Sequence, residues 1–289
     1  MRTRIFFFAI IVVSLLLTIP SYAQTEEELV NKFLKRAEKN QIKKVGYLII
    51  QGSFGRLNRD NDYNYFTGHV SPLMATAAGD PVSIDGIYNS KEFYLGFGLL
   101  TSPKSSAQVG LTYWLKMGSK DVGNYDLTSL NLEDTDVRTD FDLSSQIQVY
   151  GFSGSYDHYL INGPDKFGIL NKAALKVGGG AGLYFAKWDL WDGYSGFNLS
   201  TQAASTVEGN LTGTAPGFSA HVSAEYPIKM GGLILEGTLN YQYLNFTKMK
   251  WYNSSNEEVV AGYNFSGDRV ELNLSGPRAQ FGLKRYFCW

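Results

Sequence analysis

"EFYLGFGLLTSPKSSAQVGLTYWLKM", residues 92–117, alternates apolar side chains with polar or small ones on either side of a tight turn. In the first run Phe93, Leu95, Phe97 and Leu99 fall on one face, against Glu92, Tyr94, Gly96 and Gly98 on the other. In the second, Val109, Leu111, Tyr113, Leu115 and Met117 oppose Gln108, Gly110, Thr112, Trp114 and Lys116. A period of two marks a strand whose faces meet different surroundings. With "SPKSS" (102–106) as the turn between them, the stretch reads as an antiparallel hairpin.

The same period recurs to both sides. "GYLIIQGSF" (46–54) precedes the hairpin. "TDFDLSSQIQVYG" (139–151), "ALKVGGGAGLYF" (174–185), "FSAHVSAEYP" (218–227) and "LILEGTLNYQY" (233–243) follow it, and "RVELNLS" (269–275) opens a segment that continues to Trp289. That makes eight strands. Their connections alternate: long at about 57–91, 118–138, 192–212 and 253–267, short at 102–106, near 162–166 and at 229–232. In an up-and-down meander this alternation gathers every long loop at one end and both chain termini at the other. Even strand number, strands of about 10 residues, short turns at one end and long loops at the other are the layout of an outer-membrane barrel. The ring must close, because lipid satisfies no open sheet edge. The expected fold is therefore all-β: an eight-stranded antiparallel up-and-down transmembrane barrel over residues 43–289.

Here the sequence resembles the small bacterial outer-membrane β-barrels. The resemblance is carried by the pattern over 43–289 and by a last segment in which Ala279, Phe281, Leu283, Phe287 and Trp289 share one face. It implies a place in the cell outer membrane, contact with outer-membrane lipids and lipopolysaccharide, and delivery by the barrel-assembly machinery through the C-terminal strand. Within that last segment Val270, Leu272 and Leu274 are apolar at even positions, whereas Ala279, Phe281 and Leu283 are apolar at odd ones. A β-bulge at "SGP" (275–277) would absorb the difference.

Alternation alone leaves open which face is inside; a lipocalin-type barrel would reverse it. The membrane reading puts Leu95, Phe97, Leu111, Leu115, Val149, Leu183, Val222 and Leu239 outward, and Glu92, Lys116, Asp142, Lys176, Glu225, Glu236 and Glu271 inward. It assigns Trp188, Trp191, Tyr241, Tyr243, Phe246 and Trp251 to an interfacial aromatic belt. Folding the hairpin at 229–232 sets Glu225 opposite Glu236, two like charges that need a cation between them. Arg278 or Lys284 is expected to supply it.

The N-terminus carries its own signals. Residues 1–23 place Arg2 and Arg4 before an apolar run and end on Ser21-Tyr22-Ala23, as a signal peptide does. Residues 24–42 then read as a short amphipathic periplasmic helix, with Thr25 and Glu28 as a capping box. A formal charge of −1 argues against a nucleic-acid partner. One cysteine and three histidines argue against disulfides and metal sites, so no cofactor is expected.

One local set suggests chemistry. His221 and Ser223 share a strand face, with Glu236 on the neighbouring strand, and these are parts of a hydrolytic triad. Outer-membrane lipid A deacylases are similar at this point, but follow the serine with asparagine where this chain has Ala224. The preferred expectation is a non-enzymatic barrel without catalytic, cofactor or metal residues, with a structural or surface-interaction role through its long loops. A narrow conduit for small or apolar solutes and a lipid-modifying enzyme are the alternatives. The glycine run "VGGGAG" (177–182) lacks the lysine of a phosphate loop and reads as room for side chains across the lumen.

Overall fold

The computed structural model describes residues 45–65, 86–102, 104–125, 139–162, 173–190, 195–198, 203–206, 209–228, 233–253, 258–259 and 270–288. The expected signal peptide (1–23) and periplasmic helix (24–42) lie outside them, as does Trp289.

In chain order come β1 (Val45–Arg56), the one-turn helix α1 (Asp62–Tyr65), β2 (Asn89–Ser102), β3 (Ser105–Tyr125), β4 (Thr139–Asn162) and β5 (Ala174–Leu190). A small hairpin, β6 (Ser195–Asn198) and β7 (Ala203–Thr206), sits in the next long connection. Then follow β8 (Gly209–Pro227), β9 (Leu233–Asn253), β10 (Glu258–Val259), β11 (Val270–Asn273) and β12 (Gly276–Cys288). Neighbours pair antiparallel around the ring β1-β2-β3-β4-β5-β8-β9-β12, and β12 returns to β1 from Val45↔Cys288 to Gly55↔Arg278. With β11 and β12 forming one interrupted stave, the ring has eight walls and no free edge. The long connections leave β1, β3, β5 and β9 at one rim, and the short turns join β2 to β3, β4 to β5 and β8 to β9 at the other.

Outward, the wall is apolar. Leu111, Leu115, Leu183, Val222 and Leu239 are exposed, the last by 70%, together with Phe152, Phe185, Phe218 and Phe281. Leu95 and Phe97 also face out, half-covered by their neighbours. Tyr241 and Tyr243 lie on this face as expected.

Val149 does not. It is fully buried within the ring, in one cluster with Trp114, Met117, Ile147, Trp188, Leu211, Leu244, Phe246, Met249, Val270, Leu272 and Leu274. The interior at the long-loop end is thus apolar, capped by Leu57, Tyr63 and Ile87 from the first long connection. Tyr63 donates from its hydroxyl to the Ser145 carbonyl at 2.8 Å, and its ring packs 5.1 Å from that of Trp188. Trp188 and Phe246 therefore belong to this cap and not to an interfacial belt. The Trp188 indole N–H donates to Ser145 Oγ at 2.8 Å. The side chains of Trp191 and Trp251 are outside the description.

The same cap removes the expected bulge at 275–277. Asn273 pairs with Asn245 and Gly276 with Gln242, so equal lengths of both strands separate the two pairs and no residue is absorbed. Even positions face inward throughout: Val270, Leu272 and Leu274 into the cap, Arg278 and Lys284 into the polar lumen below. The register shift of this strand lies higher, between Val270 and Leu272. Gly276 is needed for a different reason, since a Cβ there would run into the Arg56 carbonyl oxygen. In β3 a shift between Trp114 and Met117 does change phase, turning Met117 inward and Lys116 outward, where it donates to Gln146 Oε1 at 3.2 Å. Lys116 is therefore not a lumen charge.

Candidate functional site

Among the described residues, the fold concentrates its chemistry in the lumen below the cap. The floor of this lumen lies toward the short turns. β8 and β9 bring Glu225 directly opposite Glu236, as the hairpin predicts. Two lysines from other walls hold them apart. Lys284 on β12 places Nζ 2.6 Å from Glu225 Oε1 and 2.5 Å from Glu236 Oε2. Lys176 on β5 lies 3.2 Å from Glu225, 3.0 Å from Glu236 and 2.8 Å from Asp157 Oδ2 on β4. All five side chains are buried. Tyr159 and Tyr286 donate to the two Glu225 oxygens, at 3.1 and 3.2 Å. The Lys284 ammonium also sits 4.3 Å above the Tyr47 ring. Low dielectric strengthens such contacts and makes a missing partner costly, so the cluster is stable only as a set.

Of the two cations expected for the glutamates, Lys284 fills the role. Arg278 points inward but pairs with Glu92, Nε to Oε1 at 2.7 Å. It also donates to the Leu274 carbonyl at 3.2 Å and lies 4.5 Å over the Trp114 ring. Arg278 pairs with Asn240 in the register and Glu236 with Gly282, four residues or about 13 Å further along the strand, which puts Glu236 out of its reach. The lumen thus has a second ion pair just under the cap.

Between the two lies a cavity of about 70 Å³, lined by polar side chains including Gln51, Gln108, Ser219, Asn240 and Gln242. That is room for a few waters. Inward glycines make the space. A Cβ on Gly178 would strike Asp157 and His221, so the glycine run serves the lumen as its sequence suggests.

The suspected hydrolytic set is taken apart by these contacts. His221 Nε2 lies 2.7 Å from Asp157 Oδ1, Ser223 Oγ shares a hydrogen bond of 2.8 Å with Thr238 Oγ1, and Glu236 is bound by the lysines. The histidine and serine face one lumen but serve different partners. Asp157, the group that joins His221 to Lys176, escaped the sequence reading because β4 continues to Asn162, beyond the alternation visible up to Gly151.

A closed ring with charges inside and leucine, valine and phenylalanine outside inverts a soluble protein, and lipid is the surrounding that such a surface requires. This is the fold of an outer-membrane β-barrel. No family model and no curated protein matches the chain. Solved structures similar to it include Neisserial surface protein A, at 11% identity and TM-score 0.41 over 84% of this chain and 97% of that one. A major outer membrane protein from Thermus thermophilus is similar at 14% identity and TM-score 0.46, over 84% and 99%. The outer membrane protein OprG from Pseudomonas aeruginosa is similar at 13% identity and TM-score 0.41, over 85% and 98%. The soluble alternative is excluded by the chain's own exterior: a solvated face would not carry this unbroken apolar band.

Proposed function

We propose that this barrel is a non-enzymatic, non-conducting outer-membrane protein that acts through the structures above its long-loop rim. The observation that carries the reading is the cross-linked floor: Lys176 and Lys284 tie together carboxylates from β4, β8 and β9 across the bore. Above it the aromatic cap of Trp114, Trp188 and Tyr63 fills the other end. A solute would have to part both an ion cluster and a packed core. A lipid substrate would also have to enter the lumen to meet His221 and Ser223, whose side chains point away from the lipid face, which favours the non-enzymatic reading over the lipid-modifying one. β3 and β4, at 21 and 24 residues, are about twice the length that spans a bilayer, so their hairpin stands well beyond the membrane. That projection is the part of the molecule placed to meet a surface partner.

Planar-bilayer recordings on the refolded protein test the closed lumen, with silence at moderate voltage as the expected result. Stable open-channel steps would refute it. Mass spectrometry of lipid A from expressing cells should show no change; a lost acyl chain that returns with His221→Ala would establish the enzyme instead.

A further inference from the structure

The floor of the lumen has an underside. Beyond its charges the strands run on to the short-turn rim, and the inward positions pass to apolar residues. Ile234 lies two residues beyond Glu236 on β9, beside Pro227, which lies two beyond Glu225 on β8. Ala174 lies two beyond Lys176 on β5, opposite Glu225. Val45 on β1, two residues from the inward Tyr47, and Leu100 on β2, opposite the buried Ser106, complete a ring. All five are half-buried, so each keeps some apolar surface uncovered. An inward apolar ring at one mouth is a surface for something to dock on.

The chain itself provides a tethered occupant. Only Lys43 and Lys44 separate residues 24–42 from Val45, so the end of that segment is held within about 10 Å of the ring. Wound as a helix, the segment puts Leu29, Val30, Phe33, Leu34 and Ala37 on one stripe, with Lys32, Lys35, Arg36 and Lys39 off it. Glu26 and Asn40 fall on the side of the stripe and bound it at either end. From Leu29 to Ala37 the stripe rises about 12 Å. Eight strands spaced about 4.8 Å and tilted about 40° enclose a ring about 16 Å across at the backbone. The stripe thus fits the width of the mouth between its rims, whereas a helix held on a lipid surface carries its apolar face from end to end.

We propose that residues 24–42 form a helix that lies across the short-turn mouth and buries this stripe against Val45, Leu100, Ala174, Pro227 and Ile234. The barrel is then latched from below by its own N-terminal segment, and the basic residues of that segment face away from the bore. The short tether makes the contact intramolecular, with an effective concentration on the order of millimolar, which keeps even a weak interface closed. The helix also covers the half-buried Tyr286, whose hydroxyl donates to Glu225 in the floor. The inference goes beyond the closed lumen and does not rest on it: a conducting barrel could carry the same latch, and a silent one could lack it.

The test uses the protein purified from outer membranes and held in phospholipid nanodiscs, with Cys288→Ser so that introduced thiols are the only ones. Phe33→Cys with Ile234→Cys should form a disulfide within one chain under mild oxidation, about tenfold faster than Lys32→Cys with Ile234→Cys. In a second measurement, Ile234→Cys alone should react with a water-soluble maleimide about tenfold more slowly than the same thiol in a chain that also carries Phe33→Asp. Residue 33 lies outside the barrel wall, and heat-dependent gel migration confirms that each variant is folded. If Ile234→Cys disturbs the rim, Val45→Cys takes its place in both measurements. Maleimide rates that ignore Phe33→Asp, as a helix lying on the lipid surface would give, would overturn the proposal. So would a disulfide formed as readily from position 32, or one formed only between two molecules, the mark of a second copy in the mouth.

Discussion

Lys284→Met places the floor of the lumen under direct strain. The methionine has nearly the same length, so packing against Tyr47 and Tyr286 is largely kept while the charge is lost. Before the change, three carboxylates (Asp157, Glu225, Glu236) face two ammonium groups (Lys176, Lys284); afterwards they face one. Two unit charges 4 Å apart interact by about 4 kcal/mol at an effective dielectric of 20. Two such attractions vanish, offset by the desolvation of Lys284 that no longer has to be met, and a net loss of about 3–5 kcal/mol results. Glu236→Gln in the same protein restores the original balance, two carboxylates to one lysine, and should recover about 2 kcal/mol or more of the loss. Urea unfolding of the barrel in phospholipid vesicles, followed by tryptophan fluorescence, measures both. A Lys284→Met barrel destabilised by less than about 1 kcal/mol would refute the reasoning, and so would a double variant weaker than the single one.

Two further perturbations address the cap and the exterior. Tyr63→Phe removes the donor to the Ser145 carbonyl but keeps the ring against Trp188, so it should cost about 1 kcal/mol and raise amide exchange over 57–65 without affecting the floor strands. Leu239→Lys puts a charge in the outward apolar band and should cost about 2–4 kcal/mol in vesicles; a neutral outcome would mean that this face meets water.

How much of this the sequence reveals depends on the range of the interaction. Strand number, connection lengths and the Glu225–Glu236 opposition are visible because period and turn position are local properties. The inward face is also visible wherever the lumen is polar, as at Lys176, Arg278 and Lys284. It misleads wherever the lumen is apolar. Val149, Met117, Val270 and Leu272 have the pattern of lipid-facing residues, yet they pack inside beneath Leu57, Tyr63 and Ile87, which arrive from a connection far away in sequence. Hydrophobicity reports that a side chain avoids water and is silent on whether lipid or a core receives it. Partner choice fails for a similar reason. Arg278 lies on the expected face, but its position along the axis, fixed by Gly55↔Arg278 and Ser53↔Glu92, selects Glu92.

The Glu225–Glu236 pair is the feature that local rules count most strongly against the fold, and its resolution shows what the ion cluster does beyond offsetting a repulsion. The lysines come from β5 and β12, the strands that flank the β8–β9 hairpin on either side. A slip of β12 by one residue against β9 would turn Lys284 to lipid and Arg285 inward, and a slip by two would carry Lys284 about 7 Å along the axis from its carboxylates. Either leaves two buried glutamates sharing Lys176 with Asp157. An apolar lumen would tolerate such slips, since one leucine replaces another at little cost. The charged floor discriminates among registers by several kcal/mol, and it does so between β12 and β9, which a long connection joins and no tight turn holds in register.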